Sequence, residues 1–530
     1  MSYLDQAPGG LVDSIEERIS TLEIEFHRAY WDSQVDATEA NERRRSELEL
    51  ELRRLKGDAT ALTAVNAALE GEVHDPVVRR QLEVLRLSLT ANQMDEHQRR
   101  EIVELSSAIE GEFAQHRPQL DGRKVSDNEI EQILRVSDDE TTRRAAWEAS
   151  KEIGAIVAPR ERELARLRNQ AAHKLGYSDY YRMSLQLQEI DEEWLFGIFD
   201  ELAELTDEPF RRWKESVDDR LRTRFGIRDV HPWHYSDPFF QLLPPDGRVN
   251  LDEVLAGSDI PQLAQRTFAG WGIDLTDVIA ASDLYPRPNK CQHAFCLDVD
   301  RTGKDIRILA NIVPGERWTE VMLHESGHAA YDLNIDGSLP YLLRRAAHTF
   351  VTEAMALVSG RLVRSPTWIE QVAGIDRARI TPIEGELIRA SAAQSLLFAR
   401  WCMVMTHFER DLYSDPESDL DTRWWELVER YQLVTPPLGR TAPDWAAKIH
   451  LAVAPVYYHD YLLGELLASQ LSATVEREYG GLFGGRDTGA FLVDRVFRPG
   501  SLLRWDSLIE AATGRSLGAA ALADELGALL

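Results

Sequence analysis

Residues 324–328 read His-Glu-Ser-Gly-His. Two histidines four apart on a helix lie one turn apart on the same face, so both imidazoles can reach a single metal ion. Glu325 lies about 100° round the helix from His324. From there it can touch a water on the metal without being a ligand. Zinc lowers the pKa of such a water toward ~7, and a neighbouring glutamate can take its proton as the water attacks a carbonyl. The chemistry this spacing offers is metal-assisted hydrolysis with Glu325 as general base.

Two histidines do not close a catalytic zinc site, which usually has three protein ligands and one position for water. The third ligand is expected to be Glu353, within the apolar-periodic stretch His348-Thr-Phe-Val-Thr-Glu-Ala-Met-Ala-Leu-Val-Ser. An acid on such a stretch needs a strong partner. A metal supplies one; Arg344, Arg345 or Arg361 would be the alternative. Asp332 and Asp336 are the competing ligands. Glutamate in third place marks a gluzincin-type site, and no third histidine follows at the metzincin spacing.

The elements that must position these groups are mostly helices. Trp318-Thr-Glu-Val-Met-Leu precedes the motif and Ala329-Ala-Tyr-Asp-Leu follows it. The pattern predicts a zinc helix over about 316–334 and a third-ligand helix over about 345–364. Residues 11–225 read as long amphipathic helices. Glu42–Leu55 is a heavily charged one. Ser137-Asp-Asp-Glu140 has capping-box spacing, and Gly176-Tyr-Ser-Asp is a second candidate helix start. A loop-rich stretch runs from His231 to Arg248. Gln292–Val299 and Asp305–Val313 read as two strands of a hairpin around Asp300-Arg-Thr-Gly-Lys. Helices resume to the end, broken at Thr435-Pro-Pro-Leu-Gly-Arg and Gly480-Gly-Leu-Phe-Gly-Gly. The second cluster lacks the Lys-Ser/Thr of a phosphate loop. No repeat or linker divides the chain, so residues 1–530 are read as one catalytic domain.

Composition narrows the partners. The formal net charge of −29 argues against nucleic acid, whose phosphates need a basic footprint. Cys291, Cys296 and Cys402 are too few for a disulfide framework and fit a reducing compartment. The N-terminus lacks a basic region followed by an apolar one, and runs such as Leu396–Met405 are too short to span a bilayer. A soluble, cytoplasmic protein with no membrane partner is expected.

Further motifs carry a family resemblance over most of the chain. They are Glu25-Phe-His-Arg-Ala-Tyr-Trp with Thr38-Glu-Ala-Asn, Gln292-His-Ala, the zinc helix, and Leu343-Arg-Arg-Ala-Ala-His-Thr-Phe-Val-Thr-Glu353. Lys448-Ile-His450, Tyr458-His-Asp-Tyr461 and Arg498-Pro-Gly-Ser with Thr513-Gly complete the set. The chain resembles the angiotensin-converting-enzyme-like peptidases, family M2, in a superfamily shared with the thimet-oligopeptidase-like family, M3. The resemblance implies a mainly α, two-lobed gluzincin with a central substrate channel and a small hairpin beside the zinc helix. It implies one zinc ion on His324, His328 and Glu353, with Glu325 as general base and then proton donor. Tyr461 would hydrogen-bond the developing oxyanion, assisted by His450. Lys448 and Tyr458 would grip a substrate's terminal carboxylate, with Gln241 helping the lysine. His293 and Ala294 would bind peptide backbone from the hairpin edge, as exposed strand edges can.

The sequence departs from the family at three places. The aspartate one turn beyond the glutamate ligand is replaced by Leu357, so another acceptor must orient a zinc histidine. His459 and Asp460 stand between the two tyrosines, where animal members have a chloride-binding arginine, so no such chloride site is expected. Spacings at Glu353 and at the tyrosine pair fall between the M2 and M3 patterns. The expected activity is hydrolysis of short peptides by release of C-terminal dipeptides. The alternatives are an endo-acting oligopeptidase and a catalytically inactive helical peptide-binding protein.

Overall fold

The computed structural model describes residues 3–243, 250–483 and 485–529. The end of the predicted 231–248 loop, Pro244-Pro-Asp-Gly-Arg248, and Gly484 of the second glycine cluster lie outside the described residues. The fold is mainly α: helices dominate, and the described strands form only two antiparallel pairs, Gln119–Leu120 with Arg123–Lys124 and Phe295–Asp298 with Ile306–Leu309. The chain groups into two compact units. One comprises Met1–Gln93, Val249–Gly385 and Leu463–Ala521; the other comprises Met94–Arg248, Glu386–Leu462 and Leu522–Leu530.

In the first unit, the N-terminal helices Pro8–Val35, Ala59–Glu70 and Pro76–Ala91 bury an aliphatic stripe. Leu11, Ile15, Ile19, Val65, Leu82, Leu85 and Leu89 form one core with Leu342. Burying such side chains stabilises by about 1.5–3 kcal/mol each. Short polar caps set the starts: Thr38, Asp58 and Asp75 each accept a first-turn N–H. The motif helix spans Glu316–Leu333 and starts differently. Gly315 has φ 142°, and Asp252 reaches in from outside to accept the Glu316 N–H at 2.7 Å. A side chain at Gly315 would place its Cβ 2.7 Å from that carboxylate oxygen.

The Glu353 helix is shorter than the sequence predicts. It spans Thr349–Arg361, followed by a 3-10 turn over Leu362–Arg364. Residues 345–347 instead continue from a 3-10 turn at Tyr341–Leu343, and the His348 ring caps the helix by accepting the Phe350 N–H. The hairpin strands are also shorter than expected. Phe295 pairs with Leu309 and Asp298 with Ile306, and Gln292–Ala294 precede the strand on a bend. Lys290 anchors that approach. Its buried ammonium donates to the Asp283 carboxylate and to the carbonyls of Asp283, Tyr285 and Ala310.

In the second unit, Arg143 is wholly buried. Its guanidinium satisfies the carbonyls of Ser137, Trp233, His234 and Tyr235, so the irregular stretch after His231 stays folded without regular pairing. Ser137 does not open a capping box. It ends the helix Asp127–Val136, and Asp139 caps the next helix through the Thr142 N–H at 2.7 Å. Asp179 does cap a helix as expected, at Tyr180–Leu187. The apolar run Leu396–Met405 lies in the helix Glu384–Ser414, where buried Arg400 binds Asp207 and Thr206. No described helix is long and apolar enough to cross a membrane.

Candidate active site

The first unit brings the predicted metal ligands together. One ligand atom each from His324, His328 and Glu353 lies within 4.8 Å of the others. Nε2 of His324 is 3.6 Å from Glu353 Oε2, and Nε2 of His328 is 3.8 Å from Glu353 Oε1. This convergence depends on a close helix crossing. A Cβ at Gly327 would stand 2.8 Å from the Ala356 Cα and 2.8 Å from the Ser359 hydroxyl. The glycine inside the motif therefore lets the Glu353 helix approach.

Electrostatics suit a cation. Burial holds both histidines neutral, pushing His324 down to about 4 and His328 to about 3. Burial alone raises the Glu353 carboxyl to about 7. Two of the arginines weighed as alternative partners are engaged elsewhere: Arg361 pairs with Glu465, and Arg344 donates to the Leu339 carbonyl. Two neutral imidazoles and a half-buried carboxylate form a donor set that matches zinc. Asp332 and Asp336 do not join it. Asp332 faces Asp298 electrostatically, and Asp336 accepts the Ser338 N–H in the turn after the helix.

Glu325 is 8 % exposed. Burial first, and the Glu353 charge second, raise its carboxyl to about 8, while the backbone N–H of Cys296 on the hairpin holds it in place and opposes that rise. Ala294 is half-buried and His293 exposed, just before this strand. Among the described residues the strand has no partner on its other edge.

Two groups near the histidines were not legible as functional. Thr352 Oγ1 lies 2.8 Å from His328 Nδ1. Glu320, one turn before His324 and clamped by Arg364 at 2.8–2.9 Å, is the charge acting on His324. A threonine next to a ligand carries no motif, and Glu320 reads as one more acid on a charged surface.

The second unit holds the remaining predicted residues. Lys448 Nζ donates to Gln241 Oε1 at 3.1 Å. Gln241 sits in a turn capped by buried Asp237, whose carboxylate accepts the N–H groups of Phe239, Gln241 and Leu242 at 2.9–3.2 Å. The Gln394 side chain fixes the same turn through Gln241 O and Leu243 N. Burial lowers the Lys448 ammonium to about 8, with the Asp237 charge opposing. Its Nζ stands 5.3 Å from the Phe239 ring centre and 5.2 Å from that of Trp401. Tyr458, 4 % exposed, packs its ring against Trp401 and His450. Tyr461 is half-buried, its ring 5.6 Å from that of Tyr458. His450 is neutral, pushed by burial to about 4.

Residues 6–206 and 286–522 match the model of peptidase family M2, described as angiotensin-converting enzyme. An angiotensin-converting enzyme of Haematobia irritans exigua is 23% identical, over 93% of this chain and 88% of its own length. One from Rattus norvegicus is 23% identical over 75% of this chain but only 33% of its own length. One from Theromyzon tessulatum is 23% identical over 40% of this chain and 36% of its own.

Proposed function

The chain belongs to peptidase family M2, the angiotensin-converting enzyme family, and we propose that it is a zinc metallopeptidase that removes dipeptides from the C-terminus of short peptides. The observation that carries the zinc reading is the approach of His324, His328 and Glu353 ligand atoms to within 4.8 Å, with Glu325 beside them. Zinc held there would supply Lewis acidity to a peptide carbonyl and make water nucleophilic near neutral pH. Glu325 takes the proton from the attacking water and returns it to the leaving amine. A carboxylate whose burial favours protonation is suited to holding a proton between those steps. The resemblance assigns Tyr461 and His450 as donors to the developing oxyanion, and such donors contribute several kcal/mol. His293 and Ala294, beside an unpaired strand edge, would hold extended peptide backbone.

The exopeptidase reading draws on the second unit. Lys448 and Gln241 meet at 3.1 Å on an anchored turn, which suits a carboxylate terminus. Lys448→Ala should then weaken cleavage of free-acid peptides and spare C-amidated ones. The endo-acting alternative draws on the spacings between the M2 and M3 patterns. A mass-spectrometric time course on an unmodified decapeptide separates them. Successive loss of two residues supports the dipeptidase; internal cuts of varied length move the assignment to an oligoendopeptidase. Glu325→Gln should keep stoichiometric zinc and lose about 100-fold or more in turnover. Near-normal turnover would remove Glu325 from its role.

A further inference from the structure

We propose that Thr352 is a positioning residue of the metal centre: its hydroxyl accepts the Nδ1 hydrogen of His328, leaving the Nε2 lone pair for the metal. This rests on the zinc reading above. A neutral imidazole carries one N–H and one lone pair, so the partner of one nitrogen decides the availability of the other. His328 Nδ1 meets Thr352 Oγ1 at 2.8 Å, while Nε2 is turned to Glu353, 3.8 Å from Oε1. The opposite arrangement, with the hydroxyl donating to Nδ1, would put the hydrogen on Nε2 and block ligation.

The local geometry makes Thr352 suited to this task. It precedes Glu353 on the helix Thr349–Arg361, so adjacent residues supply the third ligand and the group that aims the second. The Gly327 crossing brings that helix close, and the hydroxyl carried on the Thr352 Cβ reaches the ring. One turn beyond Glu353 stands Leu357, which has no acceptor. Its Cδ1 lies 3.3 Å from where a Cβ on Gly464 would sit, so that position is used for packing. The orienting acceptor therefore lies one residue before the glutamate ligand instead of one turn after it. It is neutral, and adds no further charge beside Glu325 and Glu353.

The test compares Thr352→Val, which keeps the shape and removes the acceptor, with Thr352→Ser, which keeps the acceptor. Zinc affinity of the full chain is measured by chelator competition. Partners of metal-bound histidines contribute about 10- to 100-fold in affinity. Thr352→Val should lose that much, and Thr352→Ser should stay within about threefold of the parent. A nitrogen-15 long-range spectrum of the metal-free parent should already show the His328 hydrogen on Nδ1. Parent affinity in Thr352→Val, equal losses in both variants, or a hydrogen on Nε2 would each overturn the assignment. The spectrum needs no variant, so a poorly folded Thr352→Val leaves the proposal exposed. Failure of the zinc reading looks different: the parent would hold no stoichiometric zinc, or His328→Ala would bind it unchanged.

Discussion

Replacing Gly327 by Ala tests whether the helix crossing sets the metal geometry. The added methyl would sit 2.8 Å from the Ala356 Cα, 2.8 Å from the Ser359 Oγ and 3.0 Å from the Met355 carbonyl oxygen. Carbon atoms in contact settle near 3.5 Å or more, so the helices must part by about 0.7 Å. Two of the three obstacles are backbone atoms and cannot rotate away. Metal–ligand distances tolerate only about ±0.2 Å, and Glu353 is on the helix that must move. Overpacking costs about 1–3 kcal/mol, while Ala gains about 1 kcal/mol over Gly within a helix. The metal-free protein should therefore lose no more than about 2 kcal/mol, and zinc affinity should fall by far more than stability does. Gly197 lies inside the helix Glu192–Phe225 with nothing within 4 Å of its would-be Cβ, and is the control. Gly197→Ala should be neutral or stabilising, with zinc binding unchanged. Denaturant unfolding and chelator competition on both variants decide the matter. Undiminished zinc affinity in Gly327→Ala would refute the reasoning.

Asp332 keeps its proton up to about 8 in the folded chain, through burial and then the charge of Asp298. An unfolded aspartate releases it near about 3.9. The folded state thus binds the extra proton, and stability should fall as pH rises between these values; Asp332→Asn should flatten that part of the stability profile, and an unchanged slope would count against it. Lys448 loses its proton above about 8, so KM for free-acid peptides should climb there while KM for amidated peptides stays level. Parallel profiles for the two substrates would remove Lys448 from carboxylate binding. Arg143→Met leaves four carbonyls of the 137–235 region without their shared donor. Loss of about 3 kcal/mol or more in denaturant unfolding is expected, and a change below about 1 kcal/mol would show that water replaces the guanidinium.

Sequence periodicity located the motif helix and the Glu353 helix because each sets its acid or imidazole groups within an otherwise apolar pattern. It failed where tertiary partners decide. Gln292–Val299 alternates well enough to read as a strand, yet pairing extends only over Phe295–Asp298. The chain bends instead at Gln292 and His293, and the Gln292 side-chain amide donates to the Lys290 carbonyl. Ser137 and Glu140 have capping spacing, but Asp139 lies nearer the helix start and takes the Thr142 N–H. The division into two units left little local signal, since at Gly385/Glu386 and Leu462/Leu463 the chain passes from one to the other inside helices, although the crossing at Gln93/Met94 falls in a loop. Gln241 aligned poorly by spacing alone. Its meeting with Lys448 depends on a turn that Asp237 caps locally and Gln394 holds from a distant part of the sequence.

The same dependence on tertiary partners explains why a neutral hydroxyl serves at His328. The first unit already places Glu325 and Glu353 where burial penalises ionisation, and sets Asp298, on the strand that holds Glu325, against Asp332. A further carboxylate in this low-dielectric region would carry the desolvation cost of a charge and repel its neighbours. One zinc ion brings two positive charges, which Glu325 and Glu353 together can match. A carboxylate at position 357 would exceed that balance and remove the Leu357 side chain that packs at Gly464. Thr352 supplies the acceptor without either effect. Introducing the acid tests the balance: Leu357→Asp should raise the pH at which zinc binds fully or destabilise the metal-free protein above neutral pH. A Leu357→Asp variant that matched the parent in both would show that this region accommodates another charge freely.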